Sequence, residues 1–167
     1  SSMIHIIDNF LFRDDFNALY NFMMGNEIDW HFNDHITRHH DNDFQFVHPF
    51  WRNDTPNLQG VVSQHFEHIV PIIKKINPTS LIRIKANLTT LRPPHETPEH
   101  HLHIDFHKPC TTGIFYLNTT NGKTVFENGE SIDCVENRFI HFPSHMKHMG
   151  TNHTDQKRRV VINFNFL

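Results

Sequence analysis

The chain has 167 residues and a formal net charge of −3, which is enough length for one domain with a buried core. Its basic pairs are short, so no nucleic-acid partner is expected, and no apolar run approaches the ~20 residues that span a bilayer. Two scattered cysteines, Cys110 and Cys134, and the lack of a charged and apolar leader predict a cytoplasmic protein with reduced thiols.

The pattern of residues 4–80 predicts a helical support region. Residues 1–3, which precede it, look like the remnant of an expression tag. The first helix is predicted from four apolar residues at i, i+3, i+4 and i+7 spacing: Phe16, Leu19, Tyr20 and Met23. Asp14 and Asp15 suit its positive N-terminus, and Gly25 suits its end.

A second helix is predicted over roughly 58–76, where Pro71 should kink or split it. Its apolar stripe consists of Val62, Phe66, Ile69, Ile73 and Ile76.

From residue 81 onward the pattern changes to short alternating runs separated by Pro, Gly and Asn, which predicts strands. The predicted strands are Leu81–Thr89, His101–Phe106, Gly113–Asn118, Lys123–Phe126, Arg138–Phe142 and Arg159–Phe166. Helices followed by many short strands predict a mainly β, α+β domain. We expect an antiparallel sandwich or jelly roll with the N-terminal helices packed on one sheet.

A metal site is suggested by His103 and Asp105, which share one face of the predicted strand because side chains alternate along it. One more distant histidine would complete a 2-His-1-carboxylate triad that leaves positions open on iron(II). The pair alone is weak evidence, because a chain with seventeen histidines contains it by chance. The candidates for the third ligand are His141, His145, His148 and His153.

The segment Phe142-Pro143-Ser144, followed after three residues by His148, resembles the late motif of the 2-oxoglutarate/iron(II) dioxygenases. Residues 81–167 resemble their catalytic core, particularly the prolyl-4-hydroxylase-like group and the small members encoded by marine phages. The resemblance implies a double-stranded β-helix (a cupin-like jelly roll), His148 as the third ligand, and iron(II), 2-oxoglutarate and O2 as reactants. It leaves His141 and His145 as neighbours or surface residues, and it implies the host cytoplasm if the chain is phage-encoded.

A 2-oxoglutarate site also needs a cation for the distal carboxylate, and an arginine about ten residues after the last ligand fills this role in the family. Arg158 and Arg159 both fit by distance. Arg159 shares a polar face with Asn163 and Asn165, whereas Arg158 shares an apolar face, so Arg159 is favoured.

Three further residues are candidates for binding the co-substrate. Tyr116 matches the family's tyrosine in the strand Thr112–Asn118, although a tyrosine buried in the core is the ordinary alternative. Asn87, on the strand before the ligands, and Asn165, on the last strand, should face the same cavity. In the following turn Asn121 replaces the first glycine of the family's Gly-Gly-X-Thr-X-Phe motif.

Together these features predict a single domain, residues 1–167, with its catalytic core in 81–167. The resemblance implies hydroxylation of an amino-acid or peptidyl, prolyl-type substrate with release of succinate and CO2. Two alternatives are a cupin-like metal-binding protein without 2-oxoglutarate turnover and a histidine-rich zinc-binding or structural protein. The loop Leu91–His100 is a candidate lid. His100, His101 and His107 receive no role.

Overall fold

The computed structural model describes residues 3–36, 43–53, 60–95, 101–105 and 108–167. Within these ranges the chain forms short strands, two α-helices and one 3-10 helix. In chain order they are β1 (His5–Ile7), α1 (Arg13–Met23), β2 (His31–Asn33), β3 (Gln45–Arg52), β4 (Val61–Val62), the 3-10 helix (Phe66–Ile69), α2 (Val70–Ile76), β5 (Leu81–Thr90), β6 (Thr111–Tyr116), β7 (Lys123–Phe126), β8 (Ser131–Asp133), β9 (Arg138–Pro143), β10 (His148–Gly150) and β11 (Arg158–Phe166).

The described strands form two antiparallel sheets. The larger sheet has the order β1-β9-β6-β11-β5-β3-β2, with β4 paired to β3, and the smaller sheet has the order β10-β7-β8. Strands that follow one another in the chain often lie in different sheets: β6 pairs with β9 and β11, whereas the next strand, β7, belongs to the smaller sheet. This arrangement confirms the predicted mainly β jelly roll.

The larger sheet separates two apolar clusters. On its outer face, Val160, Ile162 and Phe164 of β11 pack with helix residues such as Phe16 and Ile72. On its inner face, toward the smaller sheet, the cluster consists mainly of Ile114, Tyr116, Phe126, Ile132, Ile140, Phe142 and Val161. Burial of one such side chain contributes roughly 1.5–3 kcal/mol. The predicted packing of the helices on one sheet is confirmed, and the inner face is left for the site.

The first predicted helix is confirmed as α1, with Asp14 and Asp15 in its first turn. Its buried residues are Phe16, Leu19, Phe22 and Met23. Tyr20, which belongs to the same predicted helix face, is 37% exposed, and Phe22 packs in the core instead. The helix ends at Met23, and the backbone N–H of Gly25 donates to the carbonyl of Phe22.

The predicted second helix is wrong in its first half. Val61 and Val62 form β4, and the helical part begins only with the 3-10 helix at Phe66. Pro71 lies in the first turn of α2, where its missing N–H costs no helical hydrogen bond. The proline therefore marks the start of the α-helix rather than a kink inside a longer one. Residues 58 and 59 lie outside the described residues.

Residues 4–80 also contribute strands that were not predicted, and these join the same sheet as residues 81–167. The most important is β3, which pairs with β5 along most of its length. Its sequence contains Pro49, and the pairing shifts by one residue between Pro49 and Trp51. A proline is tolerated at such a bulge, but it obscures the alternation that identifies a strand. The division at residue 80 stays a prediction.

The predicted strand His101–Phe106 is wrong in the part that the structure describes. Within residues 101–105, the β pairing consists of a single bridge between His103 and His148. Phe106 lies outside the described residues. In the part of the chain with assigned structure, no helix is long and apolar enough to cross a membrane.

Candidate metal and co-substrate site

A cavity of about 810 Å³, counted with its open mouth, lies between the inner face of the larger sheet and the smaller sheet. One wall is formed by alternate residues of β5 and β11, because directly opposed residues in antiparallel strands project to the same side. These residues are Arg83, Lys85, Asn87 and Thr89 from β5 and Arg159, Val161 and Asn163 from β11. The opposite wall includes Thr124, His148 and Gly150.

Three predicted ligands meet in this cavity. Asp105 Oδ1 lies 3.2 Å from His103 Nε2 and 3.8 Å from His148 Nε2, and the three ligand atoms lie within 4.8 Å of one another. The backbones of His103 and His148 exchange two hydrogen bonds of 2.9 Å, so the two segments are fixed side by side. His103 and His148, which are 45 residues apart in the chain, are therefore joined by an isolated β-bridge rather than by regular strand pairing.

The tautomers of both histidines suit metal binding. His148 Nδ1 lies 3.0 Å from the carbonyl oxygen of Met146, and His103 Nδ1 lies 3.3 Å from that of His101. A carbonyl only accepts, so each Nδ1 carries the proton and each Nε2 presents its lone pair to the site. Two imidazoles and one carboxylate arranged in this way can hold a divalent metal ion.

The charges in the triad also favour a metal. Burial opposes ionisation of Asp105, but the adjacent His103 and His148 rings and the positive charge of Arg83 hold its pKa below its usual range. Burial lowers the pKa of His148, against the attraction of Asp105. An ionised carboxylate and a neutral imidazole are the protonation states that a metal requires of its ligands.

The other histidine candidates lie elsewhere. His141 stacks on His5 with ring centroids 4.6 Å apart, and His145 is exposed in the turn after β9. His101 stacks on His95, with ring centroids 4.1 Å apart. His153 is fully buried near Arg159, and burial followed by that positive charge lowers its pKa. His100 and His107 lie outside the described residues.

Arg159 places a cation in the cavity wall. It is only 7% exposed, its Nε has no hydrogen-bond partner among the described residues, and none of the carboxylates described there lies within 4.0 Å of it. A side chain at Gly150 would put its Cβ 2.8 Å from one guanidinium nitrogen, so glycine makes the room for this group. A buried cation of this kind requires a nearby anion, and the open cavity can admit one.

Arg158, the alternative to Arg159, lies on the outer face of the sheet. Its Nη2 donates a hydrogen bond of 2.8 Å to the carbonyl oxygen of Met24 at the end of α1. The structure thus separates the two arginines by strand alternation, as expected.

Tyr116 lies behind the cavity wall rather than in it. Its hydroxyl is 2.7 Å from Thr124 Oγ1, and Thr124 itself lines the cavity. Burial raises the pKa of Tyr116 to about 12, against the opposing effect of nearby Arg159. The guanidinium carbon of Arg159 lies 5.8 Å from the centre of the tyrosine ring. Thr124 was missed by sequence reasoning, although its position in the predicted strand Lys123–Phe126 was available.

The two asparagine candidates differ. Asn87 lines the cavity, and its buried Oδ1 has no hydrogen-bond partner among the described residues. Asn165 is fully buried and is not among the residues that line the cavity. Its Nδ2 donates to Thr112 Oγ1 over 3.1 Å. The structure therefore brings Asn87 into the site but leaves Asn165 as a link between β11 and β6.

The described part of the predicted lid, residues 91–95, is tied to its surroundings. The guanidinium of Arg92 donates to Asp43 and to the carbonyl oxygen of Phe44, and it lies 4.2 Å above the Phe44 ring. Asn152, which lines the cavity, donates a hydrogen bond of 2.8 Å to the carbonyl of Pro93. Residues 96–100 lie outside the described residues, so the lid stays a prediction.

No protein-family profile and no curated protein sequence matches the chain. Solved structures do match over nearly its whole length. A viral collagen prolyl hydroxylase from Paramecium bursaria Chlorella virus-1, solved with 2-oxoglutarate, has a TM-score of 0.65 and 14% identity, and the match covers 99% of this chain and 96% of that one. A Burkholderia pseudomallei oxidoreductase of the 2OG-Fe(II) oxygenase family has a TM-score of 0.68 and 9% identity, with coverage of 98% and 84%.

A third match is a Trichoplax adhaerens prolyl hydroxylase in complex with a peptide fragment of hypoxia-inducible factor. It has a TM-score of 0.64 and 15% identity, and the match covers 99% of this chain and 84% of that one. These likenesses show that this chain has the same jelly-roll fold as the three solved structures. At such low identities the likenesses show the fold alone, and the function is indicated by the residues of this chain's own cavity.

Proposed function

We propose that the protein is an iron(II)- and 2-oxoglutarate-dependent dioxygenase that hydroxylates an amino-acid or peptidyl, prolyl-type substrate and releases succinate and CO2. One observation carries this proposal: the triad of His103, Asp105 and His148 shares its cavity with Arg159, a buried cation without a described carboxylate partner. A metal ion held by the triad, together with a small co-substrate that binds this metal and presents a carboxylate to Arg159, would satisfy both features at once.

Each residue has a distinct task in this proposal. His103, Asp105 and His148 hold the metal through three ligand atoms, leaving its remaining positions for exchangeable ligands. Arg159 binds the distal carboxylate of 2-oxoglutarate, because its planar fork can donate two parallel hydrogen bonds. Thr124, held by the Tyr116 hydroxyl, can donate a further hydrogen bond to that carboxylate. Bound iron(II) supplies the redox chemistry that couples decarboxylation of 2-oxoglutarate to substrate hydroxylation.

Neither of the two alternative functions explains both the metal triad and the buried cation in an open cavity. A cupin-like metal-binding protein without 2-oxoglutarate turnover has no need of a buried cation beside its metal site. A zinc-binding structural protein has no need of an open cavity around its ligands, since structural zinc sites are closed by four ligands. The prolyl-type substrate is proposed by analogy, because the viral and the Trichoplax adhaerens neighbours are prolyl hydroxylases.

The test is a turnover assay with iron-loaded protein, 2-oxoglutarate, ascorbate and a panel of prolyl peptides and free amino acids. The proposal expects succinate, together with one panel member that gains the mass of one oxygen atom. Absence of succinate with every panel member, from protein that retains its iron, would rule the activity out. Succinate without any oxygenated panel member would keep the oxygenase and reject the prolyl-type substrate.

A further inference from the structure

A cluster of possible metal ligands apart from the triad is formed by Asp43, His95 and His101. One ligand atom from each of these residues lies within 4.8 Å of the other two. The side chains of Asp43 and His95 are 12% and 13% exposed, so the cluster is partly shielded from water. One carboxylate and two imidazoles form a donor set that transition metals bind. The proposed function gives these three residues no task.

The cluster brings together three segments of the chain that border the catalytic cavity. Asp43 lies two residues before Gln45, which lines the cavity. His101 lies two residues before the ligand His103. His95 belongs to the segment that follows β5 and is hydrogen-bonded to the cavity lining. An ion held by all three side chains would therefore join these segments beside the cavity.

The carboxylate of Asp43 is oriented toward the imidazoles. Its Oδ1 accepts a hydrogen bond from Nη1 of Arg92, and its Oδ2 lies 3.6 Å from Nε2 of His95. The guanidinium of Arg92 is held in turn by the carbonyl oxygen and the ring of Phe44. Hydrogen-bonded partners of this kind orient the carboxylate ligands of metal sites. Arg92 thus binds one oxygen and turns the other toward His95.

The two imidazoles determine which class of ion the cluster suits. The rings of His95 and His101 lie with their centroids 4.1 Å apart and their planes inclined by 27°. Because Arg92 already forms an ion pair with Asp43, the imidazoles rather than net charge must provide most of the affinity. Imidazole is a ligand of zinc, whereas calcium and magnesium require oxygen ligands. Iron(II) binds such ligands less tightly than zinc does.

The backbone connects this cluster to the catalytic triad. Nδ1 of His103 donates to the carbonyl oxygen of His101 over 3.3 Å, which leaves Nε2 of His103 to face the metal of the triad. An ion bound to the His101 side chain would fix the residue that supplies this carbonyl oxygen. The cluster is therefore placed to support the ligand segment rather than to take part in the reaction.

We propose that Asp43, His95 and His101 bind a second metal ion of the zinc class, which fastens the segment carrying His101 beside the cavity. Three protein ligands and one water complete the tetrahedral geometry that zinc adopts. This site is separate from the triad, and its occupation does not depend on the proposed function. It requires no turnover for its test, because bound zinc can be counted directly.

The test counts zinc ions by calorimetric titration of zinc chloride into protein that has been stripped of metal. Asp105→Ala disables the triad, so that the remaining site is observed alone. The proposal expects two zinc ions per chain in the wild type and one in this variant. Circular dichroism reports whether the variant is folded. Folded Asp105→Ala that binds no zinc would overturn the proposal.

Two double variants then locate the remaining ion. In the Asp105→Ala background, His95→Ala should abolish zinc binding. His31→Ala, which alters the separate group around Asp29, is the matched control and should keep one zinc ion. Zinc retained without His95, or lost without His31, would place the ion elsewhere and overturn the proposal.

The fold of the decisive variant is checked with the triad intact. His95→Ala alone should still bind one zinc ion, at the triad, which shows that its loss of the other ion is local. If His95→Ala does not fold, His101→Ala replaces it in both backgrounds with the same expected zinc counts. Two zinc ions in a folded single variant would contradict the proposed ligand set.

Discussion

Among the described residues, three groups bring imidazoles close to one carboxylate, those of Asp105, Asp29 and Asp43. The first two differ in whether their ring nitrogens are still available to bind a metal. In the cavity, Asp105 is surrounded by His103 and His148. On the outer side, Asp29 Oδ2 lies 3.1 Å from His31 Nε2, and Asp29 Oδ1 lies 3.4 Å from His65 Nε2 and 3.6 Å from His48 Nδ1. By composition alone, the second group has the richer set of donors.

The hydrogen bonds distinguish them. His48 uses both ring nitrogens, because Nδ1 donates to the backbone carbonyl of Asp29 over 2.8 Å and Nε2 accepts from the Ser63 hydroxyl over 2.7 Å. Asp29 is also 52% exposed, whereas the side chain of Asp105 is 9% exposed. The Asp29 group is therefore a hydrogen-bonded link between β3 and its surroundings, whereas the geometry and burial of the Asp105 group suit a metal ion.

The largest expected difference concerns iron itself. Asp105→Ala removes one of three ligands, so the iron-to-protein ratio should fall from about one to near zero, with loss of all succinate formation. Asp29→Ala is the matched control and should keep its iron. Elemental analysis after gel filtration measures both. Equal iron loss in the two variants would erase the distinction between the regions.

The next effect separates the two adjacent arginines. Arg159→Leu removes the buried cation and should weaken 2-oxoglutarate binding by about a hundredfold, with iron retained. Arg158→Leu alters only the outer face and should leave that affinity unchanged. Titration of 2-oxoglutarate into iron-loaded protein checks both. Loss of affinity in the Arg158 variant alone would mean that the side chains of β11 face the opposite way.

A smaller effect concerns the stability provided by the Asp29 group. His48→Ala leaves the Ser63 hydroxyl and the Asp29 carbonyl without their partner, which should lower the free energy of unfolding by about 1–3 kcal/mol. His31→Ala, at a side chain 60% exposed, should change it by less than about 0.5 kcal/mol. Urea denaturation measures both variants. An iron deficit in His48→Ala, rather than a stability deficit, would contradict the structural role.

The smallest effect is a pH dependence of that stability. Burial lowers the pKa of His48, against the raising effect of Asp29, so the folded state binds its proton less readily than the unfolded state. Stability should therefore fall as pH drops below the unfolded histidine pKa of about 6.5. His48→Gln should flatten this decline relative to wild type. A steeper decline in the variant would mean that His48 is protonated in the folded protein.

Local alternation was the strongest guide that the sequence offered. It turned Asn87 toward the cavity and separated Arg159 from Arg158, because the strands β5 and β11 are long and central. The resemblance around Phe142-Pro143-Ser144 selected His148 among four histidines. Both kinds of evidence depend on residues close together in the chain.

Features that depend on distant contacts were missed. The segment around His103 and Asp105 is held by a backbone bridge to His148 rather than by a strand, and no periodicity reports such a bridge. The position of Thr124 between Tyr116 and the cavity follows from the contact of two sheets.

The central claim is that one cavity binds iron and 2-oxoglutarate together and turns the co-substrate over. Succinate formation by iron-loaded protein, compared with zinc-loaded protein and with iron-loaded Arg159→Leu, tests it most directly. The account predicts succinate from the iron-loaded wild type, none from the redox-inert zinc form, and a large loss in the variant. Equal succinate from the wild type and Arg159→Leu, or none from protein that holds iron and substrate, would contradict it.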